Sequence, residues 1–228
     1  MANIEQLNPN QLDALQETGN IGCSHAATAV SQMIGKSVNI SVPSLHIKKV
    51  SELKDSLHEL FIKDEKVVGV YLELTKEFLG SILFLFPMKS ALNLADLLVG
   101  QQPGTSQQLD DMGKSAITEV GNIVVSAYTN ALGKLLNTTV WLSPPKFEYD
   151  MPGAVIETVS KNLGPETSHA LIFDIKFTDE SNLFTSIFIL LPSPQSLDAL
   201  LSKLIPCVSN HYDEPTKQYV ESLSKNMG

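Results

Sequence analysis

The pattern of apolar and polar positions along this chain predicts an alternation of helices and strands that is run through twice. Apolar residues spaced three and four apart predict a long helix from Pro9 to Ile34, with Gly35 as its stop. The segment 91–98 has the pattern of a short amphipathic helix, and 196–204 repeats it. The predicted strands are the β-branched, apolar or period-two runs at 38–42, 60–63, 67–74, 81–86, 154–159, 170–177 and 184–191.

One short segment recurs almost unchanged in the second half of the chain. Glu17-Thr-Gly-Asn20-Ile21 reappears 102 positions later as Glu119-Val-Gly-Asn122-Ile123. At the same offset, Asp110 takes the place of Asn8, and both positions suit a helix N-cap. Self-similarity at a fixed distance indicates a repeated structural unit.

These signals predict an α+β protein that forms a single pseudo-twofold domain over residues 1–228. We expect two tandem helix–strand repeats, about 8–100 and 109–205, joined by the polar, Pro- and Gly-containing stretch 100–108. The sheet should be central and mainly antiparallel, with the two long helices on one face. A further tail helix is predicted at about 209–226.

Composition and charge restrict the classes of partner. The 228 residues are 43% apolar, enough for a substantial core, and their formal charge is −9 from 16 basic and 25 acidic residues. No Lys/Arg cluster offers a footprint for a phosphate backbone, so no nucleic acid partner is expected. No segment is apolar enough to span a bilayer, and the N-terminus lacks a secretion-signal pattern. With two isolated thiols, Cys23 and Cys207, the chain is predicted to be cytoplasmic, without membrane insertion.

Each long helix should carry a polar stripe. Positions 13, 17 and 20, and likewise 115, 119 and 122, fall within roughly 60° of one another around a helix that turns 100° per residue. The stripe of the first helix contains Asp13, Glu17 and Asn20, and that of the second contains Ser115, Glu119 and Asn122. Gly19 and Gly121 fall away from the stripes, where a missing side chain permits close packing. A Glu and an Asn on a helix are most often a solvated face. Because Asn is a mediocre helix former, its presence in both halves amid diverged neighbours favours a function.

Other chemistry is not indicated. No HxxxH, GxGxxG, GxxxxGK or GxSxG pattern occurs in the sequence. The close pairs of potential metal ligands, Cys23 with His25 and His211 with Glu214, supply only two ligands each. We therefore expect no metal site in this chain, and neither a nucleotide-binding site nor a serine-hydrolase site.

The spacing of the striped residues resembles a known signature. The pattern Asp/Ser-x3-Glu-x2-Asn-x22-Pro, which characterises the CheC/CheX/FliY group of chemotaxis phosphatases, is matched without a gap in both halves. The matching residues are Asp13, Glu17, Asn20 and Pro43, and again Ser115, Glu119, Asn122 and Pro145. Two such helices on one chain are most similar to the CheC branch of the group. The FliY branch is expected to add a C-terminal rotor domain.

This resemblance implies a reaction and a role for each residue. The reaction is hydrolysis of the aspartyl phosphate of the response regulator CheY, with Mg²⁺ bound by CheY and no cofactor in this chain. Asn20 and Asn122 would orient the attacking water, because a neutral amide can accept from water beside a dianionic phosphate. Glu17 and Glu119 would dock the helices on a cation of CheY.

Asp13 and Ser115 could contact the partner or bond within their own helices. The resemblance to CheC also implies the deamidase CheD as a partner. The alternatives to a phosphatase are a non-catalytic adaptor that binds CheY or CheD and a flagellar-switch component of the FliY kind.

Overall fold

A computed structural model describes residue 7 and residues 9–60, 65–161, 167–178 and 183–209. Within these ranges the helices are α1 (Pro9–Ile34), α2 (Leu53–Leu60), α3 (Met88–Leu98), α4 (Asp111–Leu136), α5 (Pro152–Ser160) and α6 (Pro194–Ser209). The strands are β1 (Asn39–Lys49), β2 (Val67–Thr75), β3 (Gly80–Pro87), β4 (Trp141–Leu142), β5 (Lys146–Asp150), β6 (His169–Thr178) and β7 (Leu183–Pro192). We refer to 9–98 as the first half and to 111–209 as the second half.

The two long helices, α1 and α4, have 26 residues each and lie 102 positions apart at both ends. The Asp110 carboxylate caps α4 by accepting a hydrogen bond from the Gly113 N–H at 2.7 Å, which confirms the predicted cap. Gly35 and Asn137, the residues that follow the helices, have φ of +71° and +54°, a left-handed conformation that ends a helix. The predicted limits of α1 are confirmed, whereas Asn8 lies outside the described residues.

In the described ranges, seven strands form one antiparallel sheet with the order β1-β6-β7-β3-β2, and both β4 and β5 pair with the outer side of β2. β1 of the first half pairs with β6 of the second, and β3 pairs with β7. The two halves therefore share one sheet and one core. The predicted α+β class and antiparallel sheet are confirmed.

The long helices lie on the same face of the sheet, as predicted. Buried apolar residues of α1, such as Leu15 and Val30, and of α4, such as Val120, join the aromatic side chains of the sheet in one core cluster. The Tyr128 ring of α4 packs on Phe188 of β7 with centroids 4.6 Å apart. A second cluster lies on the opposite face, under α2 and α5. Within the described ranges, this arrangement leaves exposed residues on the sides of α1 and α4 that face away from the sheet.

One predicted strand is a helix. Residues 154–159 belong to α5, so the strand prediction for them is wrong. Pro152 occupies the first turn, where its fixed φ suits a helix, and Val155 and Val159 are buried one turn apart. A short apolar run does not distinguish a buried strand from a buried helix by its periodicity.

The first strand is longer than the predicted segment 38–42 and does not end at Pro43. β1 continues to Lys49, and its register against β6 shifts between Ser41 and Ser44. This bulge lies in the terminal strand of the described sheet, and a bulge in an edge strand tolerates a residue without an N–H. The bulge also changes the environment of one predicted site residue, as described below.

Two predicted segments extend beyond the described residues. Residues 61–63 of the predicted strand 60–63 lie outside them, and Leu60 ends α2 rather than starting a strand. Of the predicted tail helix, the structure describes only Ser209, the last residue of α6. Among the helices it describes, none combines the length and the apolar character needed to cross a bilayer.

Candidate functional site

Both predicted stripes lie on the surface of their helices. The exposed members are Asp13, Glu17, Ser115 and Glu119, and the half-buried members are Asn20 and Asn122. In each helix the acid and the amide are separated by three positions, so they lie side by side along one face. The stripes are therefore accessible to a partner protein.

Two glycines explain why these faces point outward. A Cβ on Gly19 would lie 3.3 Å from the Phe173 ring, and a Cβ on Gly121 would lie 2.7 Å from the Cβ of Val70. The inner faces of α1 and α4 thus press directly on the sheet at these positions, which confirms the predicted close packing. Since the apolar side is fixed to the sheet, the polar stripe opposite must face solvent.

The two helices are also in direct contact with each other. A Cβ on Gly22 of α1 would lie 2.7 Å from the Cα of Tyr128 in α4. Cys23 lies beside Tyr128 at the same contact, and burial raises the pKa of its thiol to about 12. The thiol is therefore protonated at neutral pH and is unsuited to act as a nucleophile.

The amide of Asn20 is held by the sheet. Its Oδ1 accepts a hydrogen bond from the backbone N–H of Val42 at 3.2 Å. One turn earlier, Gln16 Nε2 donates to the carbonyl oxygen of Val42 at 3.0 Å. Gln16 and Asn20 of α1 therefore bind the backbone C=O and N–H of Val42, which lies in the β1 bulge.

The amide of Asn122 has a different environment. In the part of the chain that the structure describes, no hydrogen bond to its side chain is formed. The position 102 residues after Val42 is Pro144, which has no N–H to donate. Thr118, which corresponds to Gln16, bonds instead to the carbonyl oxygen of Lys114 in its own helix at 2.7 Å.

The carboxylates of both stripes remain available to a partner. Over the described ranges, neither Glu17 nor Glu119 forms an ion pair or a hydrogen bond within the protein. Met112, one turn before Ser115 in α4, is also exposed, with 66% of its surface accessible. The same ranges contain no group of three or more His, Cys, Asp and Glu side chains placed to hold a metal ion.

Sequence reasoning missed the contribution of Gln16 and the Val42 peptide to the first site. Gln16 lies four residues before Asn20 and therefore shares its helix face, which is a signal that the sequence contains. The difference between Val42 and Pro144 is a second such signal, because only one of the two residues has a backbone donor.

Comparison with known proteins connects these motifs to one family. The sequence model of the CheC-like family matches residues 11–47 and 112–149, the segments that contain the two stripes. A solved structure of FliY from Thermotoga maritima has the same fold, with a TM-score of 0.70 at 22% identity, and the match covers 88% of this chain and 98% of that one.

Two relatives extend the match over much of the chain. The flagellar motor switch phosphatase FliY of Bacillus subtilis is 27% identical over 146 residues, which cover 64% of this chain and 37% of that protein. The CheY-P phosphatase CheC of Bacillus subtilis is 30% identical over 184 residues, which cover 80% of this chain and 87% of that protein. This extent of similarity establishes that the chain belongs to the CheC-like family.

Proposed function

We propose that this chain is a chemotaxis phosphatase that hydrolyses the aspartyl phosphate of CheY at two pseudo-symmetric sites. The observation that carries the proposal is the outward presentation of a Glu–Asn pair on each of two long helices. Membership of the CheC-like family supports it, since a relative of this chain is named a CheY-P phosphatase.

The amides would orient the attacking water. An acyl phosphate is already an activated phosphoryl donor, so the catalyst needs chiefly to place a water in line with the bond that breaks. The oxygen of an Asn side chain can accept a hydrogen bond from that water. Because the amide is neutral, the phosphate does not repel it as it would repel a carboxylate. We assign this role to Asn20 and Asn122.

The carboxylates would hold the helix over the phosphate. Glu17 and Glu119 are exposed and lack partners within the described residues, so each is free to pair with a cation beside the phosphorylated aspartate. They need not transfer a proton. Asp13 and Ser115, one turn earlier and exposed, extend the same faces and are proposed as additional contacts with the partner.

The phosphoaspartate and its Mg²⁺ belong to the substrate protein, so the chain itself needs no cofactor. We propose that residues 1–228 act as one cytoplasmic domain in which the repeats, about 8–100 and 109–205, each supply one site. CheD is proposed as a second protein partner.

A phosphate-release assay tests the proposal. Wild-type protein should accelerate release from phosphorylated CheY, and the double variant Asn20→Ala/Asn122→Ala should lose at least about a hundredfold of that acceleration, since one positioned polar group commonly contributes 10²–10³ in rate. Asn130→Ala is a matched control, because Asn130 is an exposed amide about two turns beyond Asn122 on the same helix. It should retain the wild-type rate.

Two results would contradict the proposal. Unchanged release by the double variant would remove the assigned mechanism. Binding of CheY or CheD by the wild-type protein, without any acceleration of phosphate release, would favour the non-catalytic adaptor instead.

A further inference from the structure

The two Asn side chains differ in what they can offer a water molecule. A backbone N–H can only donate, so the hydrogen bond from Val42 requires that the oxygen of the Asn20 amide faces β1. The NH₂ group of Asn20 must then point away from the strand. In its observed position, Asn20 has one of its two acceptor sites occupied.

The bond from Val42 to Asn20 lies at the bulge in β1, the end strand of the described sheet. Because the register against β6 shifts between Ser41 and Ser44, Val42 has no paired residue in β6. Val42 is only 3% exposed, so solvent cannot readily satisfy its backbone N–H and C=O. The side chains of Gln16 and Asn20 supply partners for both groups.

The second half lacks this arrangement. The continuous β1 is replaced there by two shorter strands, β4 and β5, separated by residues 143–145. Pro144 stands in the position of Val42 and has no N–H. Since no hydrogen bond to Asn122 is found among the described residues, both acceptor sites of its amide oxygen are free.

We propose that the Asn122 site performs most of the turnover, and that the Val42 N–H is a positioning group that holds the Asn20 amide in a less active state. This inference rests on the proposed function, in which the amide oxygen accepts from the attacking water. At the first site, the attacking water has to share the amide oxygen of Asn20 with the Val42 N–H or displace that N–H from it. Loss of one such hydrogen bond corresponds to a penalty of about fivefold to tenfold in rate.

Single variants test the inference directly. With CheY phosphate at saturation, Asn122→Ala should lower the rate of phosphate release at least about fivefold, whereas Asn20→Ala should lower it less than about twofold. Equal losses, or a larger loss in Asn20→Ala, would overturn the inference while the double variant still supported the proposed function. Full activity in the double variant would instead overturn the proposed function.

A third variant tests the role of the Val42 N–H. In the Asn122→Ala background, Val42→Pro removes the donor and introduces the residue that the second half has at this position. It should raise kcat several-fold and leave KM unchanged, whereas Val42→Ala, which keeps the N–H, should not raise kcat. Structural damage alone could only lower the rate, so a kcat of Val42→Pro at or below that of Val42→Ala would contradict the inference.

Hydrogen exchange provides a readout that does not depend on the folding of the proline variant. The amide proton of Val42 should exchange slowly in the wild-type protein and at least about fivefold faster in Asn20→Ala. The amide protons of β3, in the centre of the sheet, should be unchanged in the same variant. An equal exchange rate for Val42 in the two proteins would show that Asn20 does not hold this peptide.

Discussion

The two halves of this protein present the same polar stripe on helices of the same length, yet they support those helices differently. In the first half, a continuous β1 with a bulge passes beneath α1, and Asn20 is bonded to it. In the second half, the chain is interrupted between β4 and β5, and Asn122 is left unbonded among the described residues. Equal motifs therefore do not imply equal sites, because the backbone around a motif decides what its side chains can do.

The largest difference in activity between variants of the two halves is expected from charge reversal at the proposed docking carboxylates, Glu17 and Glu119. Glu119→Lys should lower kcat/KM for phosphate release about fivefold to tenfold, because it replaces an attraction to a cation of CheY with a repulsion and leaves only the turnover of the first site. Glu17→Lys should cost less than about threefold if the first site carries little of the turnover. Kinetics at low and high ionic strength provide the measurement, and Glu119→Gln is the neutral control.

Similar losses for the two reversals would mean that the halves dock equally well. Any difference in phosphate release between the two sites would then have a cause other than docking on CheY.

The next effect concerns how tightly each helix is seated on the sheet. Gly121→Ala should destabilise the protein by about 2 kcal/mol, because the added methyl would lie 2.7 Å from the Cβ of Val70, which cannot rotate away. The methyl added by Gly19→Ala, at the corresponding position of α1, would lie no closer than 3.3 Å to its nearest neighbour, the Phe173 ring. At Gly19, the gain in helix propensity from Gly to Ala, about 1 kcal/mol, should offset the free-energy cost of this contact. Urea unfolding of the two variants measures the difference.

A greater loss of stability from Gly19→Ala than from Gly121→Ala would reverse this part of the comparison. It would indicate that α1, rather than α4, is the more tightly packed helix.

The smallest expected effect concerns the segment that joins the halves. Asp96 of α3 is fully buried and accepts hydrogen bonds from the N–H of Thr105, at 2.9 Å, and from that of Ser106. Burial acts to raise the pKa of this carboxyl, but the bonds from Ser106 and Thr105 outweigh it and hold the pKa below its usual value. Asp96→Asn should therefore cost about 1 kcal/mol at pH 7.

The sign of the pH dependence follows from the lowered pKa. The stabilisation is present above the unfolded-state pKa of about 4 and is lost as the pH falls through the lower pKa of the folded state. The difference in unfolding free energy between wild type and Asp96→Asn should shrink over that acidic range. Asp198→Asn in α6, where no comparable bonds are found in the described residues, is the control. A difference that stays constant with pH would contradict this account.

Much of this architecture could be predicted from local signals. Pro9 and Gly35 delimit α1, and the N-cap Asp110 marks the start of α4, because each acts through its own backbone or its near neighbours. The stripes were predictable for the same reason, since helical geometry alone places Glu17 beside Asn20.

The remaining features depend on contacts distant in sequence. The helical form of 154–159 is decided by packing against α2, and the path of β1 beyond Pro43 is decided by its pairing with β6. The bond between Asn20 and Val42 joins residues 22 positions apart and lies at the β1 bulge. No helical or strand periodicity reports such a contact.

The most direct test of the central claim is a structure of this protein bound to CheY that carries Mg²⁺ and a phosphoryl mimic on its aspartate. The account predicts that α4 covers the mimic, with the Asn122 amide oxygen within hydrogen-bond distance of a water in line with it and Glu119 beside a cation of CheY. A complex in which CheY binds elsewhere, and both Asn20 and Asn122 remain open to solvent, would contradict it.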